Sequence, residues 1–232
     1  MTADPQIALP TVQLDSLYDI VVSGGILMWP IAFCSVVALA IIVERSIRLR
    51  ERELGSLGYG RAILDTLAAH GPAQALEACE RAPLPLGRIL RTGLARAEHP
   101  VLERGLAVED AGAREIRRLN ARLRPLAIVA VLAPLLGFLG TVFGMIQAFL
   151  NIALKEGLGR PELLAAGISQ ALVTTAAGLC VAIPAQTAYF WFRARVERFA
   201  RRTEDLYLEL DETLAQGARR EAVAPVPAGA TP

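Results

Sequence analysis

Three long stretches of this chain lack any Asp, Glu, Lys, Arg or His: residues 25–43, 125–150 and 167–192. A protein that carries protons across a membrane by itself keeps an acid or a histidine inside its spans, so that class is excluded. Histidine is nearly absent, and its two copies, His70 and His99, lie between the first two apolar stretches. The three cysteines, Cys34, Cys79 and Cys180, show no metal-ligand spacing and read as small apolar packers, not disulfide partners. No Gly-x-Ser-x-Gly elbow, phosphate loop or His-Glu-x-x-His occurs. The glycines at 55, 58 and 60 lack a strand before them and a lysine after them. Nothing therefore points to an enzyme, a metal or a cofactor.

What is present is apolar mass. Of 232 residues, 53% are hydrophobic, above the usual share of a soluble domain. Each uncharged stretch is long enough to cross about 30 Å of hydrocarbon, which needs roughly 20 residues in a helix. The expected fold class is an all-α membrane protein with three transmembrane helices.

Charge placement sets its orientation. Residues 1–24 hold no Lys or Arg, whereas fifteen arginines lie from Arg45 to Arg124 and seven follow Phe192. Only Lys155 and Arg160 fall between the last two spans. The positive-inside rule then gives N-out, C-in. No basic segment precedes the first apolar stretch, so the first span is expected to serve as its own insertion signal.

In order, residues 1–23 are expected to form an outer N-terminus with a short interfacial helix over 11–22, followed by a first span over 24–43. Residues 44–124 switch to Arg, Glu, Ala and Leu, which favour helix. Pieces are expected at about 61–69, 72–81, 84–97 and 101–124, with the glycines of 55–60 marking a turn. The last piece is expected to run unbroken into the second span, and the long helices to extend into a cytoplasmic helical bundle. The remainder reads as a second span over 125–150, an outer loop over 151–166 and a third span over 167–192. An inner helix over 193–216 and a disordered tail over 217–232 complete the chain. Glutamate and aspartate nearly balance the arginines, which argues against nucleic acid and for solvated faces that also set topology.

The second and third spans share a design. At about 100° per residue, Ala133, Gly137, Gly140, Thr141, Gly144 and Ala148 fall on one narrow arc. Gly167, Ala171, Thr174, Thr175, Gly178, Ala182 and Ala185 repeat the same offsets. Small faces let two helices approach closely. Gly137, Gly140, Gly144 and Gly178 are read as packing residues, and Thr141 and Thr175 fall at similar depth. Their spacing leaves two readings open: hydroxyls aimed into a shared interior, or hydroxyls returned to a carbonyl one turn back. For Thr174, packing is the preferred reading. Hydroxyls and amides such as Gln170 can line a wet path but do not hold a proton at neutral pH. If protons pass, another chain supplies the acid.

The segments Gly-Phe-Leu-Gly-Thr-Val-Phe-Gly-Met-Ile-Gln-Ala-Phe (137–149) and Gly-Ile-Ser-Gln-Ala-Leu-Val-Thr-Thr-Ala-Ala-Gly-Leu-Cys-Val-Ala-Ile-Pro (167–184) resemble the MotA/TolQ/ExbB proton channel family, closest to its ExbB-like and TolQ-like members. The resemblance is good over about 101–195 and looser over 25–50. It implies a homopentamer in the bacterial inner membrane whose pore, set in membrane lipid, encloses a dimer of single-span ExbD- or TolR-like helices. The partner's Asp would take up the proton, with Thr141 and Thr175 matching family pore threonines and Thr174 and Gln170 beside that path. Proton flow would then drive work on a TonB- or TolA-type periplasmic protein in outer-membrane transport or envelope maintenance. Where ExbB-like relatives often carry Glu near the outer start of the third span, this chain has Gln170, which does not titrate. The competing class is a helical scaffold or solute translocator that needs no partner acid.

Overall fold

The computed structural model describes residues 24–49, 51–154 and 161–223. Among these residues the chain is helical throughout, with no strand. The elements are α1 (Met28–Arg48), α2 (Glu51–Leu54), α3 (Leu57–His70), α4 (Pro72–Arg81), α5 (Pro85–Leu94), α6 (Val101–Ala121), α7 (Arg124–Leu154) and α8 (Pro161–Val223). Three stretches, within α1, α7 and α8, are long and apolar enough to cross a membrane. Their surfaces present Trp29, Phe33 and Val36, then Val131, Leu135 and Phe138, then Leu172, Leu179 and Ile183, all exposed. Large apolar side chains facing outward at such length suit hydrocarbon, not water.

Several boundaries depart from the sequence expectation. Helix α6 stops at Ala121, and a turn at Arg122-Leu123 separates it from α7, so the long helix expected to run unbroken into the second span is interrupted. Pro125 supplies the reason: it has no N–H for the carbonyl four residues back, and it is accommodated in the first turn of a new helix. The expected loop over 151–166 shrinks, because α7 continues to Leu154 and α8 opens at Pro161. Gly58 and Gly60 lie inside α3, not in a turn. Ser56 caps that helix, its Oγ accepting from Tyr59 N at 3.1 Å, and Gly55 turns the chain at φ +105°. At the other end, α8 passes Gly217 and reaches Val223. A Cβ at Gly217 would meet nothing within 4 Å, so this exposed glycine weakens the helix by about 1 kcal/mol without ending it. The expected interfacial helix over 11–22 and the tail beyond Val223 lie outside the described residues.

The described chain falls into two compact groups. The first comprises residues 24–38, 128–154 and 161–185. Its buried positions are mostly small: Ala38, Ala130, Ala133, Ala148, Ala171, Ala182 and Ala185, with Met28, Ile31 and Val129. The second comprises residues 39–127 and 186–223. There α3, α4, α5 and α6 pack in succession. Helix α5 buries Leu86, Ile89, Leu90 and Leu94, the stripe expected of a helix with one apolar face. The later part of α8 contributes Phe192, Val196, Phe199, Leu206 and Leu210. Gly60 admits Leu206, whose Cδ1 lies 2.6 Å from where a Cβ would stand.

Three ion pairs join helices of this second group, one of them Arg91 with Glu80 at 3.1 Å between α5 and α4. Arg88 pairs with Glu115, joining α5 to α6. Arg104, only 4% exposed, pairs with Asp211 through Nε at 2.9 Å and donates from Nη1 to Ala97 O at 3.0 Å and His99 O at 3.4 Å. Cys79 lies in the apolar layer between these helices, and burial pushes its thiol up to about 11. Because the thiolate is the nucleophile, Cys79 is expected to alkylate about 100-fold more slowly at pH 8 than an exposed cysteine. Mass-spectrometric timing of iodoacetamide uptake checks this, and uptake as fast as in a denatured control contradicts it.

Candidate functional site

The small arcs of α7 and α8 face each other in antiparallel register. A Cβ at Gly137 would sit 3.1 Å from Thr175 Cα, and one at Gly144 would sit 3.2 Å from Ala171 Cα. Gly167 meets Ala148, and Gly140 meets the Thr174 side chain, with Cγ2 only 2.4 Å from a hypothetical Cβ. Gly178 is the tightest against backbone: a Cβ there would lie 2.6 Å from Ala133 O and 3.0 Å from Gly137 Cα. The glycines and alanines on the facing sides of both helices are what allow this approach. Close van der Waals packing of this kind holds helices together where lipid supplies no hydrophobic drive.

The three threonines have different partners. Thr175 Oγ1 donates across the seam to Gly137 O at 2.9 Å. Thr141 Oγ1 donates back along its own helix to Phe138 O at 2.6 Å and remains partly exposed. Thr174 is almost completely buried, and its hydroxyl is shared between Gly24 O at 2.8 Å and Gln170 O at 2.9 Å. Thr174 and Thr175 are consecutive and differ by about 1.5 Å of helix rise, and the seam sets both of them against the turn of α7 from Gly137 to Gly140. The seam therefore brings Thr174, Thr175, Gly137, Gly140 and Gly178 into direct contact.

Gln170 belongs to a second contact. Gly25, at φ +75°, lies so close that a Cβ there would meet Gln170 Nε2 at 2.2 Å. Only glycine accepts that backbone conformation readily, and only glycine leaves room for the amide. Gly24 is similarly crowded, by Met28 and by Thr174 Oγ1. The chain just before α1 is thus clasped by two polar side chains of α8, one through a hydrogen bond and one through packing. Sequence reasoning placed only the start of the first span here and missed this role. The available signal was a glycine pair directly beside a span that begins with large side chains.

Taken together, the seam offers hydroxyls and amides but no titratable group. Among the described residues no cluster of His, Cys, Asp or Glu suited to a metal occurs. Such a wall can hydrogen-bond a proton carrier or water, and it requires the charge to come from elsewhere.

Comparison with known proteins covers this seam. A family model described as the MotA/TolQ/ExbB proton channel family matches residues 81–205. The Vibrio cholerae biopolymer transport protein exbB1 is 30% identical over 175 residues, covering 74% of this chain and 77% of the relative. The putative biopolymer transport protein ExbB-like 1 of Synechocystis sp. is 36% identical over 175 residues, covering 74% and 68%. The Tol-Pal system protein TolQ of Haemophilus influenzae is 41% identical over 83 residues, or 36% of each chain.

Proposed function

We propose, from the premise that the chain belongs to the MotA/TolQ/ExbB proton channel family, that its α7–α8 seam forms part of the wall along which a partner's carboxyl group carries protons. The chain is a multi-pass inner-membrane protein and an energy-transducing channel subunit of the ExbB/TolQ kind. In the finer reading it is oriented N-out, C-in and assembles as a homopentamer. That ring encloses a dimer of single-span ExbD- or TolR-like helices, whose Asp is the titrating group, and passes work to a TonB- or TolA-type protein. It is a transport component and not an enzyme.

The observation that carries this reading is the Thr175 hydroxyl. It stands on the small-residue seam inside spans that contain no acid or base. Thr141, Thr174 and Gln170 supply further polar atoms within a few turns. Each elementary charge crossing 100 mV releases about 2.3 kcal/mol, so a few protons suffice for mechanical work.

Thr175→Ala tests the reading by magnitude. A hydrogen bond between membrane helices contributes roughly 0.6 kcal/mol, and at most about 1.7, so the variant is expected to insert and assemble normally. Coupled output, measured as siderophore uptake or envelope integrity, is expected to fall by more than about tenfold, as for removal of a group that acts in proton transfer. Thr175→Ser should restore most of it. Full output from Thr175→Ala at normal abundance would remove the hydroxyl from the mechanism.

A further inference from the structure

Outside the spans, the second compact group carries a long apolar trough. Helix α6 and the later part of α8 run antiparallel: the Arg104–Asp211 pair marks one end, and Ile116 lines the same trough as Ala200 at the other. Val101 to Ile116 covers about 22 Å of helix rise, and the cavity encloses about 690 Å³. Its walls include Val101, Leu102, Leu106 and Leu208, all exposed. Ala200 stands about 12 Å, and Leu208 about 24 Å, of helix rise beyond Phe192, where the uncharged run ends. The polar zone of one leaflet is only about 5–8 Å thick, so the trough faces water and not lipid. Leucines gathered on such a face mark an interaction surface.

Two glycines form its floor. Gly105 and Gly112 are seven residues apart on α6, a spacing that returns to the same helix face. Only proline is a poorer helix former, yet the chain's own packing requires neither glycine. A Cβ at Gly112 would meet nothing within 4 Å, and one at Gly105 would come no closer than 3.7 Å, to Tyr207 Oη. The missing side chains leave room for a third helix to approach α6 closely.

Charge selects the occupant. Glu109 and Glu204 line the trough, and no Lys or Arg does. Around them, residues 101–112 and 203–212 hold eight carboxylates against a single basic residue, Arg104, which is itself paired with Asp211. Asp110 is paired with Arg114, and Arg96 offsets Glu98 just before Val101. The remaining arginines of the two helices gather toward the membrane end, where Arg117 follows Ile116 and Arg201 follows Ala200. A second copy of this chain is a poor match. Among the described residues beyond Arg48 and outside the spans, the one further exposed large apolar side chain is Leu57. A ring of copies joins two different surfaces, and these residues offer no second apolar patch to fill the trough. A two-fold pair would press one acidic trough against another.

We propose that this trough docks an amphipathic helix of another protein, with leucine-like side chains at i, i+3, i+4 and i+7 and lysines or arginines along the edges of that stripe. The apolar side chains would fill the space over Gly105 and Gly112, and the basic edges would face Glu109 and Glu204. The site lies apart from the α7–α8 seam and does not rest on how protons move.

The test uses the full chain in phosphatidylcholine nanodiscs and a fluorescent 18-residue helical peptide of leucine and lysine, with binding to empty nanodiscs subtracted. A leucine–glutamate peptide with the same stripe is the comparison, and it is expected to bind at least tenfold more weakly. Glu109→Lys with Glu204→Lys should weaken binding of the leucine–lysine peptide about tenfold. Gly112→Leu, which fills the floor without touching the chain's own packing at Cβ, should weaken it at least as much. If either variant fails to fold, the other carries the test. Equal binding by wild type and variants would overturn the proposal, as would equal binding of the two peptides. With p-benzoylphenylalanine in place of Ala113, irradiation should join the chain to the leucine–lysine peptide. A crosslink between two copies of the chain instead would overturn the proposal.

Discussion

Gly178→Val is expected to be the most damaging single substitution in the membrane-spanning part of the chain. Even the first carbon of the new side chain would press on Ala133 O, Gly137 Cα and Gly137 N, all within 3.2 Å. These are backbone atoms, so no rotamer change relieves the clash, and α7 and α8 must separate along the seam. Overpacking of this kind costs about 1–3 kcal/mol where side chains can adjust, and more where they cannot. Separation would also break the bond from Thr175 Oγ1 to Gly137 O. The variant is expected to melt roughly 5–10 °C lower in detergent and to lose coupled output. Gly112→Ala is the control. A Cβ there meets nothing within 4 Å, and the change should stabilise α6 by about 1 kcal/mol. If Gly178→Val melted like the wild type, the two helices would not pack at the spacing described.

The second large effect concerns Asp211. Its partner Arg104 is buried, and the two carbonyls that remain, Ala97 O and His99 O, carry no full charge. Removing one member of a buried pair costs about 3–5 kcal/mol, because the other charge is left without a counter-ion. The Asp211 side chain is 24% exposed, so water screens part of the interaction and the lower end, about 3 kcal/mol, is expected for Asp211→Ala. Thermal unfolding followed by circular dichroism measures it, and amide exchange in α6 should rise alongside. Replacing both partners, Arg104→Met with Asp211→Leu, should recover most of the loss, since a well-packed apolar pair avoids the desolvation penalty. If the double variant is as unstable as the single one, the loss lies in packing and not in the stranded charge.

Much of this architecture was legible in the sequence because it rests on local periodicity. Uncharged runs of span length predict where α1, α7 and α8 cross, and the repeating small residues from Gly137 to Gly144 and from Gly167 to Gly178 mark the faces that meet. Pairings between distant residues leave no such trace. Nothing periodic joins Thr174 to Gly24, or Arg104 to Asp211, which are 107 positions apart. The three threonines look alike as sequence, yet one hydroxyl crosses the seam, one folds back along its helix and one clasps the approach to α1. Helix ends were misplaced where a proline or a cap outweighed composition, as at Pro125 and Ser56. The arginines of α8 were read as a solvated face that also sets topology. The trough walled by Leu102 and Leu208 depends on contacts between elements that periodicity does not encode.

The clasp on Gly24 also bears on how the protein is made. Its donor, Thr174, is 150 residues downstream. At a synthesis rate of about 5–20 residues per second, the carbonyl waits roughly 8–30 s for its hydroxyl to emerge. During that interval the leading span rests in the bilayer with its first turn unfastened. The final helix closes that turn when it arrives. A nascent chain halted before residue 174 should therefore leave Gly24 open to proteolysis, and a chain allowed to finish should protect it.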